Sequence, residues 1–571
     1  MSVFTMSRKT YKSNDVNTYK TTKTEYVYGS YGNATTEKVW GDTTNTADNA
    51  ITTRSFYANT TSPYYIVSKI KEEKVYSAAD NNFTVDEANL KKDTLYYYDG
   101  NNTSQTTQPT AGNLTRVQSK KDASNSVSSY STYDSYGNKA TETDANGNAT
   151  SYTYDSTYHI YPITKTYPSA GGVQLSESCT YQDGTGNILT HTDVNGQVTQ
   201  YTYDTFKRLI KVYKPGDTQS PNDRPSIVYN YSDWGSTWVD NKPKQRLETW
   251  QKVTEDNYPT NYAWQYQFFD GLGRIIQTQS QGESGYTIVD KTTTFNNVGQ
   301  VDKEYVSQNI TTPSPTIYQA PQGKYTSYSY DALGRILKQY NIDGTDQNGN
   351  YTGYDYTIPW QINVRNPLGF ITNNYYNAFG QMVKVEEPDA SNGVYATTKY
   401  EYDTLGNLTR VLDANNSSNP SNPTYATTMT YDWLSHKTAM SDPDMGSWSY
   451  VYDNNGNLYQ QTDAKSQTIT MVYDAMNRLT NKNYPAGSGM TNIVYSYDSI
   501  ANGNYGKGLR TGMTDAATIT TSNGEVKPAT WIYRLPEGTT ASVGEDNSKT
   551  TNMYLNGKLI LSIVLTPDYF K

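Results

Sequence analysis

Apolar and polar positions along this chain alternate with the two-residue period of a β-strand, not the 3.6-residue period of a helix. Runs such as Tyr328-Ser-Tyr330, Tyr400-Glu-Tyr402 and Tyr450-Val-Tyr452 place two rings on one strand face and the intervening residue on the other. Each run ends in Asp, crosses a short stretch containing Gly, and resumes with Leu or Ile, as in Asp331-Ala-Leu-Gly334-Arg335-Ile336 and Asp403-Thr-Leu-Gly406-Asn407-Leu408. Asp at a strand end bonds the backbone amides of a tight turn. Gly three residues later takes a positive φ that would strain another side chain. The pattern predicts β-hairpins with strands of about six or seven residues.

The unit recurs. Further copies are Tyr133-Asp134 with Gly137-Asn138, Tyr154-Asp155, Tyr203-Asp204 with Arg208-Leu209, Tyr402-Asp403 with Gly406, Tyr431-Asp432, Tyr452-Asp453 with Gly456, Tyr473-Asp474 with Arg478, and Tyr497-Asp498. Degenerate copies are Tyr26-Val-Tyr28 with Gly32, Phe269-Asp270 with Gly273-Arg274, Phe295-Asn296 with Gly299, and Tyr376-Asn377 with Gly380. Tyr133 to Tyr154, Tyr431 to Tyr452 and Tyr452 to Tyr473 are each 21 residues apart. A second turn falls between units, at Asp144, Asp193, Asp413 and Asp463. One hairpin is too small to bury its own Tyr/Leu face, so the units are expected to stack side by side into one long sheet. A β-propeller is the alternative fold, but it favours a period of about 40–45 residues.

Composition sharpens this picture. Tyrosine supplies 57 of 571 residues although the whole hydrophobic set is 35%. Thr, Tyr, Asn, Asp and Gly dominate over the usual helix formers, which argues for strands and turns nearly throughout. The formal charge of −9 is mixed along the chain. No basic stripe points to nucleic acid and no polybasic segment to anionic lipid. Cys179 is the only cysteine, so no intrachain disulfide can form. The longest apolar stretch, Leu559–Leu565, is short and broken by Ser562, and no membrane-spanning helix is expected. The first residues lack the apolar segment of a secretory signal, so export by that route has no support here.

The repeat resembles the YD repeat of the rearrangement-hotspot (RHS) proteins, of the toxin-complex B and C components and, more distantly, of the teneurins. Phe268-Phe269-Asp270-Gly-Leu-Gly273-Arg274 and Tyr330-Asp331-Ala-Leu-Gly334-Arg335 are most similar to bacterial members, and the resemblance spans about residues 20–510. It implies an all-β sheet that winds as a spiral into part or all of a hollow shell. The implied role is a non-catalytic scaffold that encapsulates a toxin polypeptide, with that cargo or a second shell subunit as partner. It implies a secreted or cell-surface protein, cytoplasmic before export. The expected organisation is a lead-in over 1–20, the shell over 21–510, and divergent C-terminal strands over 511–571. Two features depart from the family: a self-cleaving aspartyl core with its cargo domain is not recognisable, and neither is an N-terminal cap module, so no release mechanism is carried over. Tyr554-Leu-Asn556-Gly557-Lys558 reads as a short hairpin, and Leu559–Leu565 as a strand buried on both faces, or on one face with a missing partner, the second alternative making it an edge that wants further chain.

Candidate chemistry is sparse. Asp442-Pro443-Asp444-Met-Gly446 superficially echoes an aspartyl cleavage signature, but it occupies the slot of a second turn. Asp-x-Asn-Gly invites a calcium reading; Asp144–Asp155, however, has Gly at its fourth position and Asp at its twelfth, unlike the calcium-binding loop. The regular carboxylates a glycoside hydrolase would draw on are accounted for by turns. The tryptophans, among them Trp250, Trp264, Trp360, Trp433, Trp448 and Trp531, are irregularly spaced, as packing residues are. His159, His191 and His436 lie far apart and Cys179 is isolated, giving no zinc or Cys-His pattern. No enzyme activity, cofactor or metal is expected. The alternative function is a surface or extracellular protein whose Tyr-rich sheet binds carbohydrate, and a glycoside hydrolase ranks behind it.

Overall fold

The computed structural model describes residues 2–12, 15–44, 49–78, 83–219, 223–232, 245–253, 262–283, 286–310, 318–342, 350–413, 425–500, 503, 505–520, 526–531, 549–555 and 558–565. The predicted Asn556-Gly557 turn lies outside them, as does Asn222. Thirty-nine strands form one sheet, and the strands Lys549–Leu555 and Lys558–Leu565 form a separate antiparallel pair. The only helical element among the described residues is a 3-10 turn, Glu87–Asn89. Every pairing is antiparallel and runs in chain order, from Ser2–Lys12 against Asp15–Tyr28 to Arg510–Thr520 against Val526–Trp531. One column holds two short strands: Val301–Tyr305 and Gln308–Ile310 lie along the same side of Thr287–Phe295. The sheet thus takes in residues on both sides of 21–510.

Most of this sheet is a single layer. From Ser126–Tyr133 through Val198–Tyr203 no strand residue is buried. From Leu408–Asp413 through Ile493–Tyr497 only Met471 is. A sheet ordinarily needs a second layer to cover its apolar face. Here the cover comes from the amphipathic tyrosines themselves and from two small clusters. One joins Trp40, Ile51, Tyr76 and Phe83 with Trp433 packed against them; the other joins Tyr266, Phe268 and Ile276 with Trp250 and Trp264.

Trp433 belongs to a turn almost four hundred residues after Trp40, which shows that the sheet coils back on itself. The Trp433 N–H donates to the Lys121 carbonyl at 2.9 Å, and the Asn455 side chain reaches Asp144 Oδ2 at 2.7 Å. The Asn195 side chain meets Lys507, 2.9 Å from its N–H and 3.1 Å from its carbonyl. In all three cases the later turn follows a strand twenty-four places further along the chain. The successive wraps meet through turns, not strand pairing, so the sheet stays open and is not a closed barrel. Because two strands share a column, one wrap is about 23 columns. At about 4.8 Å per column the perimeter is about 110 Å and the diameter about 35 Å. Side chains projecting about 5 Å inward leave an opening of about 25 Å.

Candidate functional site

The repeat signature folds into one recurring turn. In the Tyr133 copy, the Asp134 N–H donates to the Asn138 carbonyl at 2.9 Å and the Gly137 N–H to the Asp134 carbonyl at 3.2 Å. Gly137 has φ +86°, the left-handed conformation that closes such a loop. Asp134 Oδ1 accepts from the N–H groups of Tyr136 and Asn138, each at 2.9 Å, and Oδ2 from the Asn138 side chain at 3.0 Å. Asp403 and Asp453 repeat this with Asn407 and Asn457. Asp204, Asp270, Asp331 and Asp474 instead hold the guanidinium of Arg208, Arg274, Arg335 and Arg478, with Nε at 2.7–2.8 Å. Asp432 pairs with His436 Nδ1 at 3.0 Å. Where Asp becomes Asn, at Asn296 and Asn377, the partner becomes Gln300 or Gln381, an uncharged amide pair. Gly273, Gly334, Gly406 and Gly456 all share the positive φ of Gly137.

Consecutive units interlock through the same positions. Tyr154, Tyr203, Tyr330, Tyr402, Tyr431 and Tyr473 each donate the ring hydroxyl to a backbone carbonyl of the preceding unit's returning strand, at 2.8–3.1 Å. Tyr133 does so to Leu114 at 2.9 Å. The arginines bridge forward: Arg208 lies over Tyr231, Arg274 over Phe295, Arg335 over Tyr356 and Arg478 over Tyr497, with centroid distances of 3.8–4.3 Å. His436 stacks on Tyr452 in the same way. A motif residue thus closes its own turn and clamps the next one.

Hydrogen bonding pulls Asp134, Asp155, Asp204, Asp270 and Asp331 acidic. For Asp134 the Asn138 side chain is the largest cause, followed by partial burial, which opposes it, and by backbone amides. For Asp331 burial is the largest influence and opposes the shift, but the backbone and guanidinium of Arg335 outweigh it. Asp155 is held well below the usual range: burial pushes it up, while the N–H groups of Tyr158, Tyr161, Ile160 and Thr157 pull it down further. Its loop is longer than the others and carries His159, at φ +57°, stacked on Tyr136.

One copy was hidden in the sequence. Tyr98-Asp99-Gly100 is a YD turn whose Asp accepts from the N–H groups of Thr110, Ala111, Gly112 and Asn113. The intervening loop disguises its spacing, although the Tyr-Asp-Gly triplet was a usable signal. A second regularity is an apolar residue just before the turn's positive-φ residue: Tyr136, Leu272, Val298, Leu333, Phe379 and Leu405 precede glycine, and Phe206, Leu434 and Met476 precede Lys207, Ser435 and Asn477.

The second turns have the same architecture: Asp144 accepts from Asn146, from the Asn148 backbone and side chain, and from Asn455 across the seam. Its oxygens are occupied by amide donors, which explains the Asp-x-Asn-Gly pattern without calcium. Among the described residues no group of three or more His, Cys, Asp or Glu is arranged to hold a metal ion. Asp442 accepts from the Asp444 and Met445 N–H groups and the Thr427 hydroxyl, and pairs across its turn with Gly446. It closes a hairpin. A cleft of about 510 Å³ opens along the seam, lined by Val117, Glu142, Asp144, Tyr167, Asn455 and Met476; Asp144, one of its two carboxylates, is the group whose oxygens the amides take up.

This geometry defines a class: a coiled, single-layered sheet of YD hairpins, the shell fold of toxin complexes. The RHS-repeat family model matches residues 183–219 and 452–488, so these two segments are RHS repeats. A solved TcdB2-TccC3-TEV structure matches at TM-score 0.71 and 13% identity over 98% of this chain. A TcdB2-TccC3 structure matches at TM-score 0.71 and 14% identity over 98%. The Tc holotoxin pore of Photorhabdus luminescens matches at TM-score 0.69 and 12% identity over 95%. The chain spans 36–38% of the length of these solved chains. No curated protein matches the sequence.

Proposed function

We propose that this protein is a non-catalytic shell scaffold that encloses a polypeptide in an unfolded state, as part of a secreted toxin system. The observation that carries the reading is the return of the sheet onto itself after about 23 columns, which fixes an opening of about 25 Å. An extended chain is about 10 Å wide and passes; a folded 100-residue domain, with a radius of gyration of about 13 Å, does not fit. The resemblance in fold to toxin-complex structures supports the same reading, as does the absorption of the repeat carboxylates into turns. The partner is a polypeptide cargo or a further RHS-repeat chain.

The test is protection. A disordered reporter peptide fused after Lys571 is exposed to proteinase K alongside the same peptide free in solution. Protection of the fused reporter, lost when the shell is denatured in urea, is the expected result. Digestion of both at one rate would remove encapsulation and leave the Tyr-rich outer surface as the functional element.

A further inference from the structure

The two edges of the coiled sheet are chemically unlike. All YD turns lie on one edge, and the second turns of the Asp-x-Asn-Gly type lie on the other. Within the chain these edges mate: the second-turn edge of the first wrap (Lys121, Asn146, Asn195) receives the YD edge of the second wrap (Trp433, Asn455, Lys507). At this seam three of the apolar residues at the YD turn tips, Leu405, Leu434 and Met476, are half-buried, and a fourth, Phe379, is 51% exposed.

On the first wrap, among the described residues, Tyr136 stacks on His159 and Arg208 lies over Phe206, but no tip is packed into a seam. Phe206, Leu272, Val298 and Leu333 are each 79% exposed. They occupy the tip position that Leu405, Leu434 and Met476 hold in the seam, and they follow one another along one edge. Isolated exposed apolar side chains are ordinary, but a row repeated at one structural position marks an interface. The opposite free edge, on the second wrap, also carries apolar tips: Leu368 at 82%, Met445 at 54% and Met490 at 60% exposed.

We infer that the free YD edge of one molecule docks on the free second-turn edge of a second copy, head to tail, repeating between molecules the seam that the chain already makes with itself. Such a contact uses two different surfaces, so it leaves an unused edge at each end and propagates. This inference rests on the coiled sheet alone and holds whether or not the lumen carries a cargo.

The experiment is sedimentation velocity on the purified chain across a range of concentrations. The wild type exceeds its monomer mass of 64.1 kDa as concentration rises. Leu272→Asp/Leu333→Asp blocks one edge, and Met445→Asp/Met490→Asp blocks the other. Each variant alone stays monomeric with an unchanged melting temperature, because the altered tips are exposed. Mixing the two variants leaves one intact edge of each kind and yields complexes of two copies and no larger. A wild type that remains at monomer mass throughout overturns the inference, assigning the edges to a different chain. Variants that assemble as the wild type does overturn it as well.

Discussion

At the scale of the residue, the turn rests on backbone conformation more than on contact. A Cβ built on Gly137 meets no atom within 4 Å, so only its φ of +86° resists substitution. Gly137→Val is expected to destabilise by about 1–2 kcal/mol, the cost of a left-handed non-glycine residue. Ser466 occupies the equivalent position of a second turn at φ +60°. There the reverse exchange, Ser466→Gly, is expected to stabilise by about 0.5–1 kcal/mol. Urea midpoints of the two variants moving in the same direction would contradict this assignment. The Asp and Gly of the motif were legible in the sequence because each answers a local need within five residues. The fifth position was legible only as a preference for Asn or Arg. Its purpose is non-local: Arg478 holds Asp474 in its own turn, reaches Asp498 of the next at 2.6 Å, and covers Tyr497.

At the scale of the hairpin, tyrosine is selected over other β-formers because it supplies both a ring and a donor. Phe269 and Phe295 show that the ring alone suffices at some units. Where the hydroxyl is present it ties neighbouring units together, and its ionisation removes the donor. Tyr98 donates to the Ile70 carbonyl and Tyr181 to the Pro162 carbonyl. Both are pushed up to about 12 from an ordinary value of 10, chiefly by burial, with neighbouring ionisable groups adding to it. A folded value above the unfolded one means that the stabilisation is complete below pH 10 and is lost as pH rises toward 12. Phenolate absorbance is therefore expected to rise together with the loss of β-sheet circular dichroism across that interval. Titration of the tyrosines near pH 10 with the sheet signal intact would show that these hydroxyls do not hold the ladder. Strand alternation and the 21-residue spacing made the hairpins readable. The bulge beside each YD tyrosine, such as that between Thr132 and Tyr133, was not, because bulges follow from pairing and not from composition.

At the scale of the whole molecule, the sequence dictates side-by-side stacking but not the number of hairpins in a wrap. That number follows from accumulated twist and bulging, and from where Asn146, Asn195 and Trp433 find partners more than three hundred residues away. The wrap dimensions also decide which experiment can see the lumen. A wall of about 18 Å radius and about 50 Å height, two strand lengths with their turns, has a radius of gyration of about 23–25 Å. A solid globule of 571 residues has about 24–25 Å. The two architectures coincide in that quantity, so overall size in solution does not separate them. Projection does: end-on cryo-electron microscopy views are expected to show a ring about 35 Å across its backbone with a low-density centre about 25 Å wide. Side views should show two stacked bands joined along a turn-to-turn seam. A filled disc end-on would mean that the wraps collapse onto one another, and the single-layered sheet would then need a different source of cover for its Tyr/Leu face.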